Sequence, residues 1–231
     1  MITLDGILPV LTDSSLLGPL WLTAKVSVVA VPFCLLIGVP LGYLLGRGRS
    51  LLLDAADFLV SLPLVLPPIA TGFFLLLLLG RHGPLGHPLK IATGIEIIFG
   101  FWGVALAACV AGLPLMVRPV KAAVGRETRR YAEVSAVLGQ SELRTFFRVI
   151  LPLMRRSVLA GTFLAWARSL GEVGVTLMLG GNIIGRTNTV SLEIYNAVFT
   201  GEYDRALVLA ILLAVISLGL LAALRWIAPE S

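Results

Sequence analysis

Charged residues are scarce in this sequence. They make up 13% of its 231 residues, whereas 58% are hydrophobic, and an ordinary soluble domain carries about twice that charged fraction. Two cysteines and two histidines leave little material for a disulfide framework or a histidine-rich metal site. The composition therefore argues against a soluble enzyme.

The sequence also lacks a glycine-rich loop that ends in Gly-Lys-Ser or Gly-Lys-Thr. None of Lys25, Lys90 and Lys121 follows a glycine, so ATP hydrolysis by the common phosphate-loop route is not expected. His82 and His87 have no acidic or cysteine neighbours and are expected to be turn residues rather than metal ligands. We expect no enzyme activity, no metal and no cofactor in this chain.

What the sequence does contain is long uncharged stretches. A membrane-spanning helix needs about 20 apolar residues, and the stretches 26–46, 58–80, 97–117 and 206–224 meet that length. A fifth, 157–179, contains Arg168 and Glu172, whose spacing of four places them on one helix face where each partly neutralises the other. The sequence predicts an all-α integral membrane protein with five transmembrane helices, forming a single domain over 1–231.

The basic residues predict the orientation, because loops rich in lysine and arginine stay in the cytoplasm. Segments 46–54, 118–156 and 225–231 hold twelve of the 18 basic residues, nine of them in 118–156. These segments alternate with less basic connections, which predicts the N-terminus outside and the C-terminus inside. Residues 1–19 lack a basic start, so a cleaved signal peptide is not expected.

Glycine and proline modify two of the predicted spans. Gly38, Gly42 and Gly46 repeat at four-residue spacing, which favours a groove for a neighbouring helix of the same chain. Three prolines at 63–68 must interrupt the hydrogen-bond ladder of the second span. Carbonyl groups freed in this way must face protein or a watery cavity, so this segment is either the wall of a pathway or a packed kink.

The connection 118–156 is too long and too patterned for a simple turn. Residues 131–138 predict a short helix with its apolar residues on one side, and Gly139 stands where a helix end turns left-handed. Ser141 is placed to cap a second helix that runs to Pro152. This helix-turn-helix either lies on the anionic inner leaflet or docks against another protein, and its interleaved acidic residues argue against nucleic acid.

Within this connection Glu133-Val134-Ser135 is followed, after three residues, by Gly139 and, after nine more, by Val149-Ile150-Leu151-Pro152. The pattern resembles the cytoplasmic signature of ABC importer permeases, in which Glu-Ala-Ala, Gly and Ile-x-Leu-Pro stand at the same intervals. Both alanines and the isoleucine are replaced here. In that family the loop is a coupling helix that docks into a cleft of a separate ATPase subunit. The resemblance assigns ATPase coupling to Glu133, Ala136, Gly139, Leu151 and Pro152.

Three further segments are similar to those of oxyanion importers and, among these, of molybdate permeases. They are 62–68 in the second span, 167–174 in the fourth, and 181–187. Val173 and Val175 stand where phenylalanine and alanine are more usual. The resemblance covers about 20–226 and implies an ABC type I importer permease fold that moves molybdate across the bacterial inner membrane, with tungstate or sulfate as alternatives.

The resemblance also implies partners. These are a second copy of the chain, two ATP-binding subunits that hold ATP and Mg²⁺ on the cytoplasmic face, an extracytoplasmic oxyanion-binding protein, and membrane lipid. The translocation path is expected at Ser61, Pro67, Thr71, Arg168, Ser169 and Glu172. Arg168 either offers positive potential to a passing anion or forms a structural pair with Glu172. The pair is favoured, because a permease supplied by a high-affinity binding protein needs no tight site of its own.

Two hypotheses from other classes stay open. A membrane-embedded enzyme would need converging nucleophiles or metal ligands, and Arg168 with Glu172 is a thin constellation for catalysis. A passive channel or an ion-coupled carrier would need no docking loop. Copurification with a nucleotide-binding subunit that depends on Glu133 and Gly139 separates the three. Residues 182–203 also predict a short interfacial helix that faces the binding protein.

Overall fold

The computed structural model describes residues 13–48 and 50–227, and the regular structure within these ranges is helical. The predicted uncleaved start at 1–12 lies outside them. A 3-10 turn at Ser14–Leu16 precedes the first helix. The helices are α1 Leu17–Arg47, α2 Leu51–Val65, α3 Pro68–Leu79, α4 Gly86–Thr93, α5 Phe101–Ala123, α6 Arg126–Val137, α7 Glu142–Leu153, α8 Arg155–Leu170, α9 Gly174–Gly180, α10 Val190–Thr200 and α11 Tyr203–Ile227.

Three of the predicted spans are single helices. In the described part of the chain, α1, α5 and α11 are each long and apolar enough to cross a membrane. Helix α1 begins at Leu17, nine residues before the predicted stretch that starts at residue 26. The additional part contains one charged residue, Lys25, which is exposed and does not need to be buried. The ammonium group of Lys25 lies 4.9 Å from the centre of the Trp21 ring, and both side chains are exposed. Such a pair is suited to the membrane interface.

The second predicted span is divided into α2 and α3, as its prolines predict. Helix α2 ends at Val65, and Leu66 and Pro67 have extended ψ angles of 145° and 136° before α3 begins at Pro68. Proline at the first position of a helix sacrifices no hydrogen bond, since that backbone nitrogen has no partner in the helix. The break therefore restarts the helix rather than only bending it.

The fourth predicted span is also divided, and here the expectation of one helix face for Arg168 and Glu172 is wrong. Helix α8 ends at Leu170, and α9 begins at Gly174. Glu172 lies in the break, where its Oε1 accepts a hydrogen bond of 2.8 Å from the backbone N–H of Val175. The carboxylate caps the new helix instead of extending the old one, because it satisfies a backbone donor that has no partner in the helix.

The core forms where α1 packs along α5. A Cβ on Gly42 would lie 2.8 Å from Val120 Cβ, and one on Gly46 would lie 2.5 Å from Val124 Cβ, so only glycine permits this approach. Gly38 makes the same kind of contact with Met116. The predicted groove for a helix of the same chain is confirmed.

One end of the molecule carries the long basic connection, and we call it the basic end. There Arg47 at the end of α1 pairs with Glu142 of α7 at 3.1 Å. Lys121 at the end of α5 pairs with Asp57 of α2 at 3.0 Å. These pairs place the loop 118–156 beside the ends of α1, α2 and α5. Helices α7 and α8 meet there at a bend of 78°, and together they also reach membrane-spanning length and hydropathy.

Candidate functional site

The helix-turn-helix at the basic end forms as predicted, with a longer first helix. Helix α6 begins at Arg126 rather than at residue 131, and it ends before Gly139, which has φ +70°. The backbone N–H of Gln140 donates to the Ser135 carbonyl at 3.0 Å. Such a closed left-handed end favours glycine, because a Cβ disfavours this backbone conformation.

The second helix, α7, is capped at its start as the sequence predicts. Ser141 Oγ accepts from the backbone N–H of Arg144 at 3.4 Å. Residues Phe146–Ile150 form a π-helical turn, and the helix continues one residue past Pro152 to Leu153. The π-helical turn was not predicted. Such turns are frequent at functional sites.

The two helices present one buried and one exposed face. Ser135 and Ile150 are buried, and Ile150 belongs to the core formed by α1 and α5. The opposite face is apolar yet exposed, and we call it the coupling patch. Its members are Val134, Val137, Leu138, Leu143 and Phe147, of which Val137 is 88% and Phe147 61% exposed. A group of exposed large apolar side chains on one helix-turn-helix indicates an interaction site.

The predicted coupling residues fall into two groups around this patch. Glu133 and Ala136 are exposed on the second half of α6, and Gly139 is exposed in the turn that follows it. Leu151 is half-buried and Pro152 exposed, at the end of α7 that leads into the bend. The structure thus places the first three beside the coupling patch and the last two at the junction with α8.

The two broken spans lie side by side. A Cβ on Gly72 of α3 would lie 2.9 Å from Val175 Cα, and one on Gly174 would lie 2.7 Å from Pro68 Cβ. The break at Pro67 therefore adjoins the break at Glu172. Two helix interruptions in contact with each other are a recurrent arrangement at transport sites.

The predicted pathway residues of the second span have different surroundings. Thr71 is buried, and both its backbone N–H and its Oγ1 donate to the Pro67 carbonyl, at 3.0 and 3.3 Å. Ser61 lies on α2 before the break and is half-buried. Pro67 is exposed at the break itself.

Arg168 and Glu172 form an ion pair, although they do not share a helix. Arg168 Nη1 lies 2.6 Å from Glu172 Oε2, and the Arg168 side chain is 32% exposed whereas that of Glu172 is 1% exposed. Both carboxylate oxygens of Glu172 are thus engaged, one by Val175 N–H and one by the guanidinium. The positive partner is the one that retains access to the surroundings.

Ser169 joins the fourth span to α5. Its Oγ lies 2.8 Å from the carbonyl oxygens of Ala108 and Ala165, and it can donate to either. A Cβ on Gly112 of α5 would lie 2.9 Å from the same Oγ. The side chain thus occupies a close helix contact rather than open space.

The end opposite the basic end is built from residues whose roles sequence reasoning missed. A short helix, α10, lies within the predicted range 182–203. Arg205 Nη2 lies 2.5 Å from Glu193 Oε1, and its Nη1 lies 3.5 Å from Asp13 Oδ2. Only the alternation of acidic and basic residues around the start of α11 could have indicated this network. In the described residues no three histidine, cysteine, aspartate or glutamate side chains are grouped to hold a metal ion.

The opposite end also carries an exposed ion cluster in the connection between α4 and α5. Glu96 pairs with Lys90 and with Arg81, the latter at 3.1 Å. The ammonium group of Lys90 and the guanidinium of Arg81 hold the pKa of the Glu96 carboxyl below its ordinary value. This cluster fastens the short helix α4 to the start of α5.

Residues 38–230 match the family described as binding-protein-dependent transport system inner membrane component. The chain is 40% identical over 205 residues to the molybdenum transport system permease protein of Escherichia coli K12, covering 85% of this chain and 88% of that protein. It is 36% identical over 190 residues to the protein of the same description from Azotobacter vinelandii, covering 82% and 84%. A crystal structure of a bacterial ABC transporter that imports the polysaccharide alginate is similar in fold, with a TM-score of 0.75 at 16% identity, covering 99% of this chain and 84% of that one.

Proposed function

The chain belongs to the family of binding-protein-dependent transport system inner membrane components, a family of multi-pass membrane transport subunits, and we propose that it is the permease of a molybdate importer. The observation that carries the substrate is the 36–40% identity to molybdenum permeases over more than four fifths of both chains. Tungstate is the alternative of closest chemistry, since it is also a tetrahedral dianion.

We further propose its assembly. Two copies form the translocation path, two ATP-binding subunits dock on the coupling patches in the cytoplasm, and an oxyanion-binding protein delivers the anion from outside the bacterial inner membrane. A similar fold occurs in an alginate transporter solved in complex with a periplasmic binding protein. In this assembly ATP and Mg²⁺ are held by the partner subunits, and this chain contributes no nucleotide chemistry.

The coupling residues explain how work done elsewhere would reach the membrane. The exposed apolar side chains beside Glu133 and Gly139 are suited to a cleft in a partner, and burying them would stabilise the contact by about 25 cal/mol per Å². Helix α7 continues through the bend at Met154 into α8, which ends at the Arg168–Glu172 pair. A rotation of α7 would therefore be transmitted to the broken helices.

The path itself is proposed at the adjoining breaks, with Ser61, Pro67, Thr71, Ser169 and the ion pair near it. Alternating access is then a population shift between packings that open to one side or the other, biased by nucleotide through α7. Arg168 retains exposure beside a neutralised Glu172. The breaks thus offer a modest positive potential without a tight anion site, which would slow release.

Reconstitution tests the proposal. The chain is placed in vesicles with the ATP-binding subunit and the binding protein of its own source, and uptake of molybdate, tungstate and sulfate is measured with and without ATP. ATP-dependent accumulation of molybdate in preference to sulfate is expected. Uptake that does not depend on ATP, or a preference for sulfate over molybdate, would contradict the proposal. The anion retained by the isolated binding protein gives an independent measure of the substrate.

The coupling assignment has its own variant and control. Gly139→Leu should abolish transport without preventing membrane insertion, because leucine at φ +70° is strained by roughly 1–2 kcal/mol. Gly125→Leu is the matched control in the same loop, since its φ is −91° and a Cβ there would meet nothing within 4 Å. Normal ATP-dependent uptake by Gly139→Leu would refute the coupling role.

A further inference from the structure

Two consecutive phenylalanines in the π-helical turn of α7 have opposite surroundings. Phe147 belongs to the coupling patch and is 61% exposed. Phe146 is half-buried, and its ring centre lies 5.1 Å from the ring of Tyr43, a core residue of α1. The two rings also contact each other edge to face, with centres 5.2 Å apart, so the same short turn joins one exposed aromatic ring to one that packs on the transmembrane core.

The contact with α1 extends over one helical turn. Arg47, four residues after Tyr43, pairs with Glu142, four residues before Phe146. Helices α1 and α7 thus meet along matching faces that run in opposite directions. The ion pair is exposed, at 44% and 82% for its two side chains, and exposed pairs contribute little. The aromatic pair is the more buried of these two contacts.

Helix α7 needs this second support to transmit force. Near its end Ile150 is buried in the core formed by α1 and α5, and beyond it lies the bend of 78° at Met154, about which α7 could rock relative to α8. The contact between Phe146 and Tyr43 fixes α7 on the side away from that bend. Tyr43 in turn belongs to a helix that the glycine groove packs tightly onto α5. A displacement of Phe146 would therefore move α1 and α5 as one body.

We propose that Phe146 is a positioning residue that transmits movement of the docked coupling segment to α1 through Tyr43, while Phe147 serves docking itself. This inference rests on the proposed function. It adds a second route from the motor to the membrane, besides the covalent one through Met154. Docking and transmission are thus assigned to neighbouring residues in contact, and they are distinguished by which measurement changes in each variant.

The test uses the complete transporter in vesicles, with three measurements for each variant. These are copurification of the ATP-binding subunit, the rate of ATP hydrolysis, and molybdate uptake. Phe146→Ala should keep the subunit and its ATP hydrolysis, while uptake per ATP falls roughly five- to tenfold, in line with the loss of an aromatic pair. Phe147→Ala should instead lose the subunit, so that hydrolysis and uptake fall together.

Two controls complete the test. Glu142→Gln should change uptake per ATP less than twofold, since only the exposed ion pair is lost, whereas the Arg47 guanidinium keeps its position 6.0 Å from the centre of the Tyr43 ring. Phe146→Leu keeps the apolar volume without the ring and replaces Phe146→Ala should the latter not reach the membrane. An unchanged uptake per ATP in the Phe146 variants, or loss of the subunit like that in Phe147→Ala, would overturn the inference. Absence of molybdate uptake in the wild-type transporter would instead count against the proposed function.

Discussion

The ion pair in the fourth span gives the sharpest quantitative prediction. Removing only the positive partner, in Arg168→Gln, leaves a carboxylate that is 1% exposed without a neighbouring cation. Breaking a buried pair from one side costs about 3–5 kcal/mol. The hydrogen bond from Val175 N–H remains, so we expect the lower part of that range, about 3 kcal/mol.

The opposite single change is expected to be milder. Glutamine at position 172 still presents an oxygen to Val175 N–H, so the cap of α9 is retained. The unpaired Arg168 is 32% exposed and can be partly solvated, which reduces the cost to about 1 kcal/mol. The double variant Arg168→Gln with Glu172→Gln buries no charge and should be close to wild type in stability.

The measurement is thermal unfolding of the purified protein in detergent, followed by uptake in vesicles. For a chain of this length a loss of about 3 kcal/mol lowers the melting temperature by roughly 6–12 °C. From highest to lowest, the melting temperatures should be those of wild type, the double variant, Glu172→Gln and Arg168→Gln. A double variant as unstable as Arg168→Gln would refute the pairing argument. A double variant that folds and transports establishes a structural pair, whereas one that folds without transporting assigns Arg168 to the anion.

Three further predictions concern packing and charge. Gly42→Ala should destabilise the chain by about 1–3 kcal/mol in chemical denaturation, because its Cβ would lie 2.8 Å from Val120 Cβ, whereas Gly18→Ala on the same helix meets nothing within 4 Å and should be neutral. Ser169→Ala should cost about 1 kcal/mol in the same assay, and no change would show that its contact with α5 is unimportant. The pKa of Glu96 is lowered by its ion pairs. The contribution of Glu96 to stability is therefore complete above the ordinary pKa of glutamate, near 4, and is lost as the pH falls through the lowered pKa. The protection of α4 amides from hydrogen exchange, relative to their intrinsic exchange rates, should thus fall on acidification below about pH 4 in wild type but not in Glu96→Gln.

Much of the architecture could be predicted because it depends on local chemistry. The adjacent Pro67 and Pro68 stand at the break between α2 and α3, whereas the isolated Pro63 lies inside α2. Gly139 ends a helix because few other residues adopt its φ. The spacing of Gly38, Gly42 and Gly46 marks a close helix contact without reference to the partner. In each case the residue type itself restricts the backbone or the approach of a neighbour.

The missed features depend on residues far apart in the sequence. The contact of Tyr43 with Phe146 joins positions 103 residues apart, and hydrophobic periodicity alone does not identify the partner of a core residue. The break between α8 and α9, which begins at Gly171 and contains Glu172, was not predicted for a similar reason. A single glycine is tolerated in a helix, and this one marks a helix end only because Glu172 finds a partner in Val175.

The two adjoining breaks differ in how they are maintained, and this difference bears on movement. The break at Pro67 is fixed by the chemical structure of proline. Its ring leaves no backbone N–H, so the missing helical hydrogen bond cannot form in any state of the protein. The break at Gly171 is held by the interactions of Glu172, which can be exchanged for others. Helices α3 and α9 are packed together through Gly72 and Gly174 and would move as one body. A rotation delivered through α8 is therefore most easily absorbed at Gly171, where the chain has a conditional break directly beside the ion pair of Arg168 with Glu172.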